Sequence, residues 1–259
     1  MKNIVILSGK GGVGKSTIAW NIALALSEQG LKTAIFDADM DCPNIPQICG
    51  LSNTTKIEVD FDHDLFYPMT HKGVQLMSVG FGIPEKAPIL WTGKAKYQIL
   101  LDFLGATKFD NIDYLIIDCP AGTGDALQAV MQGKPYPIDS AIVVTTPHEA
   151  AIADARRAIG MLREQGVNYS GLIVNMASIQ CPNCRHSVSV PTAIYDEFIE
   201  KEIILKMPFD DLVRQTNLFL NRHELAAAVL SHLDVNLNKK SRLKQAKISM
   251  LAAAIDKLA

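Results

Sequence analysis

An α/β architecture, with a doubly wound, mainly parallel sheet and helices on both faces, is what the sequence predicts, and three observations predict it. Short apolar, β-branched runs recur along the 259 residues with helical patterns between them. A glycine-rich turn joins the first of these runs to a long helical pattern. Two of the later runs, AIFD and YLIID, end on aspartates, at Asp37 and Asp118.

The strands are expected at NIVILS (3 to 8), KTAIFD (32 to 37), VQLMSV (74 to 79), DYLIID (113 to 118), SAIVVTT (140 to 146), GLIVNM (171 to 176) and EIILKM (202 to 207). Between them, helices are expected near 15 to 29, 94 to 105, 124 to 132, 149 to 165, 191 to 201 and 210 to 220. Residues 52 to 73, with NTTK, DFDHD and HKG, read as an irregular, exposed excursion. The last stretch, near 240 to 259, places Leu243, Ala246, Met250, Ala254 and Leu258 on one helical face with lysines elsewhere. Such a helix could lie on a membrane; its alanine-rich apolar face, free of aromatic residues, favours docking on its own sheet. With no repeat and no linker, residues 1 to 259 are expected to form one domain, with a loop holding a cysteine pair near 177 to 190.

Composition bounds the function. Apolar residues make up 48% and charged residues 20%, the balance of a chain that folds throughout. A formal net charge of −2 and a pI near 6.3 give no global reason to bind nucleic acid or anionic lipid, so no nucleic-acid partner and no stable membrane association are expected. The start, MKNIVILSGKGG, reads as a strand entering a loop rather than a signal peptide, and the chain is expected to be cytoplasmic. Five cysteines, an odd number, argue against a disulfide framework. Cys42, Cys49 and Cys119 are expected to be small buried hydrophobes.

Gly9-Lys10-Gly11-Gly12-Val13-Gly14-Lys15-Ser16 satisfies the phosphate-loop pattern G-x-x-x-x-G-K-[ST], in the required place between a strand and a helix. Its glycines let successive N–H groups converge on phosphate oxygens at a helix N-terminus. Lys15 then neutralises the β- and γ-phosphates, Ser16 offers its hydroxyl to Mg²⁺, and Thr17 meets the α-phosphate. Asp118 supplies the second carboxylate that such a loop needs for its metal. Asp37 and Asp39 end the second strand where an acid can reach metal-bound or attacking water, and Asp41 is expected to be solvated. Lys10 is one lysine more than the loop requires.

CPNC, at Cys181 to Cys184, follows a strand-ending asparagine. Two thiolates leave a tetrahedral metal site half filled, and a twofold dimer would supply four, suiting Zn²⁺ or a bridging iron–sulfur cluster. A reduced or disulfide-bonded pair is the remaining possibility, and His186 is close enough in sequence to reach a metal at Cys184.

SGKGGVGKST resembles the deviant Walker A signature of the MinD/ParA/Mrp superclass of P-loop NTPases. DADMDCPNIP, ILWTG, DYLIIDCPAGTGD, VVTTPHEAAIADARRAI and IVNMASIQCPNC resemble, in order and approximate spacing, the motifs of its Mrp/ApbC branch, the iron–sulfur cluster carriers. The resemblance implies a MinD/ParA-like fold and a slow ATPase that acts as a homodimer with ATP and Mg²⁺. Lys10 would reach across the dimer to the partner's phosphates, Asp39 would activate the attacking water, and Asn175 and Pro208 would frame the adenine. Cys181 and Cys184 would hold a labile 4Fe–4S cluster shared by two subunits, destined for apo iron–sulfur proteins. The chain opens on its first strand, so no accessory domain or cysteine cluster is expected ahead of it. Departures are Cys42, where the family has glycine, and Arg185 and His186 after the pair, in place of glycine and a later Gly-rich segment. A MinD/ParA-like positioning ATPase and a zinc-bridged ATPase serving metalloenzyme maturation are the alternatives.

Overall fold

The structure, a computed structural model, describes residues 1–51, 55–81, 93–122, 124–132, 135–181, 183–184, 186–190, 197–209, 211–219 and 222–233. The strands are β1 (Lys2–Leu7), β2 (Thr33–Asp37), β3 (Glu58–Asp60), β4 (Leu65–Tyr67), β5 (Met69–His71), β6 (Val74–Ser78), β7 (Tyr114–Asp118), β8 (Ser140–Thr145), β9 (Tyr169–Gln180), β10 (Ser187–Ser189) and β11 (Ile203–Phe209). The helices are α1 (Lys15–Glu28), α2 (Ile45–Ile48), α3 (Gly93–Ala106), α4 (Asp125–Met131), α5 (Glu149–Glu164), α6 (Glu197–Glu202), α7 (Asp211–Thr216) and α8 (Arg222–His232).

One mixed sheet has a parallel centre in the order β9-β8-β1-β7-β2-β6. At its margins β11 adds parallel to β9, while β10 and β5 add antiparallel to β9 and β6. The order follows from the side chains. Ile4 and Ile6 of β1, with Ile35 of β2, Ile116 of β7 and Ile142 of β8, face the layer of α1 and α8. Val5, Leu7, Phe36, Leu115, Ile117 and Val143 face α3, α4 and α5. Strands apolar on both faces must be covered on both, which is the condition for a parallel centre. In α5 the buried residues Ile152, Ala155, Ile159 and Leu162 recur at helical spacing.

β1 lies between β7 and β8, so the chain leaves it for β2 on one side and returns to β8 on the other. At such a reversal of strand order the carboxyl ends open a crevice where α/β proteins bind ligands.

The expected strands and main helices are present, with four differences. β9 does not end at Asn175 but runs on to Gln180, where β10, absent from the expected strands, folds back on it. The excursion at 52 to 73 is largely ordered as a β3–β4 hairpin and a β5–β6 hairpin. The second turns through Lys72 and Gly73, both at positive φ, the backbone of a two-residue hairpin loop. Phe103 fastens β4 to β2, its ring centroid lying 5.1 Å from that of Phe66 and 5.4 Å from that of Phe36. Helix α8, which the strand-and-helix pattern does not announce, buries Leu225, Ala226, Val229 and Leu230 over α1. The helix expected near 210 to 220 ends at Thr216. The expected terminal helix at 240 to 259, most of ILWTG, and the first part of the helix at 191 to 201 lie outside the described residues. No helix among the described residues is long and apolar enough to cross a membrane.

Candidate functional site

The phosphate loop leaves β1 at Ser8 and enters α1 at Lys15, at the mouth of the crevice. Gly14 is the N-cap of α1 with φ of 84°, and Gly12 has φ of 80°, both left-handed. A Cβ on Gly14 would strike the Asn175 amide. No side chain caps α1 and no acid occupies its first turn, so the N–H groups there are left for an anion. Across the crevice Gly122 donates its N–H to the Ser8 carbonyl at 3.0 Å, tying the loop after β7 to the phosphate loop. The open cavity so formed is about 720 Å³. Gly11, Gly12, Lys15, Ser16, Thr17 and Asp39 help line it.

The charges converge as the topology requires. Asp37 and Asp118 are register partners at the ends of β2 and β7. Lys15, 6% exposed, places Nζ 2.6 Å from Oδ1 of the wholly buried Asp118 and 3.3 Å from Oγ of Ser16. Burial opposes the lysine's charge, but Asp118, with Asp37 and Asp39 behind it, outweighs that and raises its pKa above the ordinary lysine value. Oδ2 of Asp118 and the Ser8 hydroxyl are buried without hydrogen bonds. Lys15 Nζ reaches both Ser16 and Asp118, and an unpaired buried carboxylate oxygen suits a hard cation, so the residues fit Mg²⁺ held by Ser16 and Asp118.

Asp37 fixes the acidic loop. Its Oδ2 accepts from the Ser78 hydroxyl at 2.8 Å and from the Ile45 N–H at 3.3 Å, and its Oδ1 accepts from the Asp39 N–H at 3.1 Å. Burial and the neighbouring Asp118 push its carboxyl up to about 8, against the donors that favour its charge. Asp39, half-buried at the cavity wall, accepts from the Cys42 N–H at 3.1 Å. Burial raises the Asp39 carboxyl above its ordinary value. Asp41 is exposed, as expected.

Lys10 is exposed, stands outside the cavity wall, and makes no hydrogen bond or ion pair among the described residues. Asn175 is placed behind the loop: its Nδ2 donates to the Val13 carbonyl at 2.9 Å. Pro208 pairs with Ser178 past a register shift in the β9–β11 ladder, where Met176 has φ of 58°. The residues found lining the cavity include Asn217 but neither Asn175 nor Pro208.

Cys42 corrects an expectation. It is exposed at the cavity wall, because the chain turns there to carry its N–H to Asp39. Cys49 and Cys119 are buried as expected, and burial pushes both thiols up.

Cys181 and Cys184 stand at the turn of a hairpin, in which β10 folds back antiparallel on the end of β9. The Cys181 N–H donates to the His186 carbonyl at 2.9 Å, closing the turn. Both thiols are free, Cys184 exposed and Cys181 partly so. The N–H groups of Cys184 and Asn183, with the Cys184 thiol, hold the Cys181 thiol below its ordinary pKa and so favour the metal-binding thiolate. Among the described residues no group of three or more His, Cys, Asp or Glu side chains could hold a metal. Ile179 and Val188, register partners beside the turn, are 56% and 59% exposed.

A sheet whose strand order reverses at a glycine-rich loop, with a buried lysine and two strand-ending aspartates, defines a P-loop nucleotide-binding protein. Residues 1–217 match the ParA family described as NUBPL iron-transfer P-loop NTPases, and the chain belongs to that family. It is 40% identical over 188 residues, 72% of its length, to the iron-sulfur cluster carrier protein of Methanocaldococcus jannaschii, and spans 64% of that relative. Among solved structures, a nucleotide-binding protein from Archaeoglobus fulgidus in complex with ADP superimposes with a TM-score of 0.68 at 32% identity, over 86% of this chain and 87% of that one. The septum site-determining protein MinD of Pyrococcus horikoshii, complexed with Mg-ADP, shares the fold with a TM-score of 0.62 at 21% identity, over 91% of this chain and 99% of that one.

Proposed function

We propose that the chain is an ATP-hydrolysing carrier that holds a 4Fe–4S cluster as cargo between two copies of itself and passes it to apo iron–sulfur proteins in the cytoplasm. The observation that carries this reading is the course of β9. Its Asn175 grips the phosphate loop through the Val13 carbonyl, and the same strand ends at the hairpin bearing Cys181 and Cys184. The two sites thus share one strand, and a nucleotide-dependent change in the contact of Asn175 with the loop would be the difference that couples them. Each chain offers two thiolates where a cluster takes four, which calls for a second copy.

Nucleotide phosphates would replace Asp118 as the partner of Lys15. Lys10, exposed and uncommitted, would cross to the phosphates of the partner copy, as an arginine finger does. Asp39, with its pKa raised by burial, would accept the proton of the attacking water. Mg²⁺, when bound by Ser16 and Asp118, would offset charge on the phosphates.

The test is transfer from anaerobically loaded protein to an apo four-iron acceptor, with and without ATP. Delivery should need Cys181 and Cys184, and Asp39→Ala should abolish its dependence on ATP. Equal delivery by the Cys181→Ser, Cys184→Ser double variant would refute the reading.

A further inference from the structure

One wall of the cavity is unexplained by phosphate binding. Asn217, just after α7, lines the cavity with its backbone held left-handed, at φ of 56°. Its backbone is fully committed: its N–H donates to the Val213 carbonyl of α7 at 2.9 Å, and its carbonyl accepts from Nδ2 of Asn21 at 2.8 Å. Asn21, wholly buried on α1, also donates from Nδ2 to the Thr17 carbonyl at 2.7 Å and accepts at Oδ1 from the Phe219 N–H at 2.9 Å. One buried carboxamide thus ties the first turn of α1 to the chain at Asn217 and Phe219. The anchor is rigid, since Phe219 is itself wholly buried.

The carboxamide of Asn217 makes no hydrogen bond among the described residues, although the residue is half-buried. The left-handed backbone is that of a helix end, closed by the bond to Val213, and it turns the chain so that Asn217 reaches the cavity. The phosphates of a bound nucleotide lie on the loop up to Ser16, with Thr17 at the α-phosphate. Asn21 bonds both the Thr17 and Asn217 carbonyls, so Asn217 is held next to the residue assigned to the α-phosphate, where the nucleoside would follow. Asn44 and Gln47 also bring carboxamides to the cavity, from beyond the acidic loop, whereas Asn217 is the one tied through Asn21 to Thr17; the Asn175 amide is bonded to the loop and does not line the cavity.

We propose that Asn217 is a specificity-determining residue that hydrogen-bonds the nucleoside of the bound nucleotide through its carboxamide, which donates and accepts at once. This rests on the nucleotide reading of the cavity.

The experiment is calorimetric titration of wild type and Asn217→Gly with ADP and with pyrophosphate, each in Mg²⁺. Glycine keeps the left-handed backbone and removes only the side chain. ADP should bind the variant about five- to tenfold more weakly, the loss of one or two hydrogen bonds, while pyrophosphate stays within about twofold. 2′-Deoxy-ADP and 3′-deoxy-ADP separate the nucleoside partners: a difference between the proteins that persists with both assigns the base, and one that vanishes with either assigns that ribose hydroxyl. Unchanged ADP affinity, or an equal loss for pyrophosphate, would overturn the proposal. Melting of both proteins without nucleotide controls for folding, and Asn217→Ala, which also removes the carboxamide and adds no charge, repeats the comparison if the glycine variant unfolds. Wild type that binds pyrophosphate but gains nothing from the nucleoside would sink this inference alone; wild type that binds neither would sink the nucleotide reading beneath it.

Discussion

Lys15→Met separates the structural duty of the loop lysine from its duty to phosphate. Lys15 is the cation 2.6 Å from an aspartate with no exposed surface, and the other oxygen of that aspartate has no hydrogen bond. Methionine keeps the aliphatic length and removes the charge. Asp118 is then a buried carboxylate beside Asp37 with nothing to balance it, a change that costs about 3 to 5 kcal/mol when one member of a buried pair is lost. Chemical denaturation without nucleotide or Mg²⁺, followed by circular dichroism and by tryptophan emission, to which the buried Trp20 contributes with Trp91, measures this directly. Lys15→Met with Asp118→Asn should recover most of the loss, a coupling of about 2 kcal/mol or more in a double-mutant cycle. If Lys15→Met alone unfolds within about 0.5 kcal/mol of wild type near pH 8, the ion pair does not hold the site together and the reasoning fails.

Other substitutions probe the remaining parts. Lys10→Ala, at an exposed position without partners among the described residues, should change stability by less than about 0.5 kcal/mol yet lower ATP turnover about a hundredfold or more; unchanged turnover in a steady-state phosphate assay would remove its role in the partner's site. Gly14→Ala puts a Cβ against the Asn175 amide and a non-glycine residue at φ of 84°, so denaturant midpoints should report a loss of about 2 to 4 kcal/mol. The raised pKa of Asp37 makes its contribution to stability complete below about pH 4, where the unfolded carboxyl is still protonated, and progressively lost as pH rises to about 8. Melting curves of wild type and Asp37→Asn should therefore shift in favour of the variant across that range, and a constant difference would contradict the assignment.

How much is legible in the sequence depends on distance along the chain. The strands of the parallel centre announce themselves because Ile4 to Leu7 and Leu115 to Ile117 are apolar on both faces. The meeting of Lys15 with Asp118 follows from motif and topology together, since a phosphate loop and an aspartate-ended strand have few ways to pack. The clamp of Ser78 on Asp37 and the strut from Asn21 to Asn217 join residues 41 and 196 positions apart with no pattern between them. Strand β10 is only Ser187 to Ser189, too short for alternation to register, so the cysteine turn reads as a loop rather than a hairpin. Helix α8 escapes the pattern because its stripe Leu225, Ala226, Val229 and Leu230 is small and interrupted by further alanines. Resemblance assigns Asn175 to the base, while a 2.9 Å bond holds its amide to the Val13 carbonyl.

The measurement that tests the central claim most directly is the iron, acid-labile sulfide and zinc content of anaerobically purified protein, with its absorption spectrum and mass in solution, for wild type and the Cys181→Ser, Cys184→Ser double variant. About two irons and two sulfides per chain in a dimer, both lost in the variant, is the expected result for one four-iron cluster bridging two copies. Zinc alone at about half an ion per chain, or no metal in either protein after reconstitution, would contradict it.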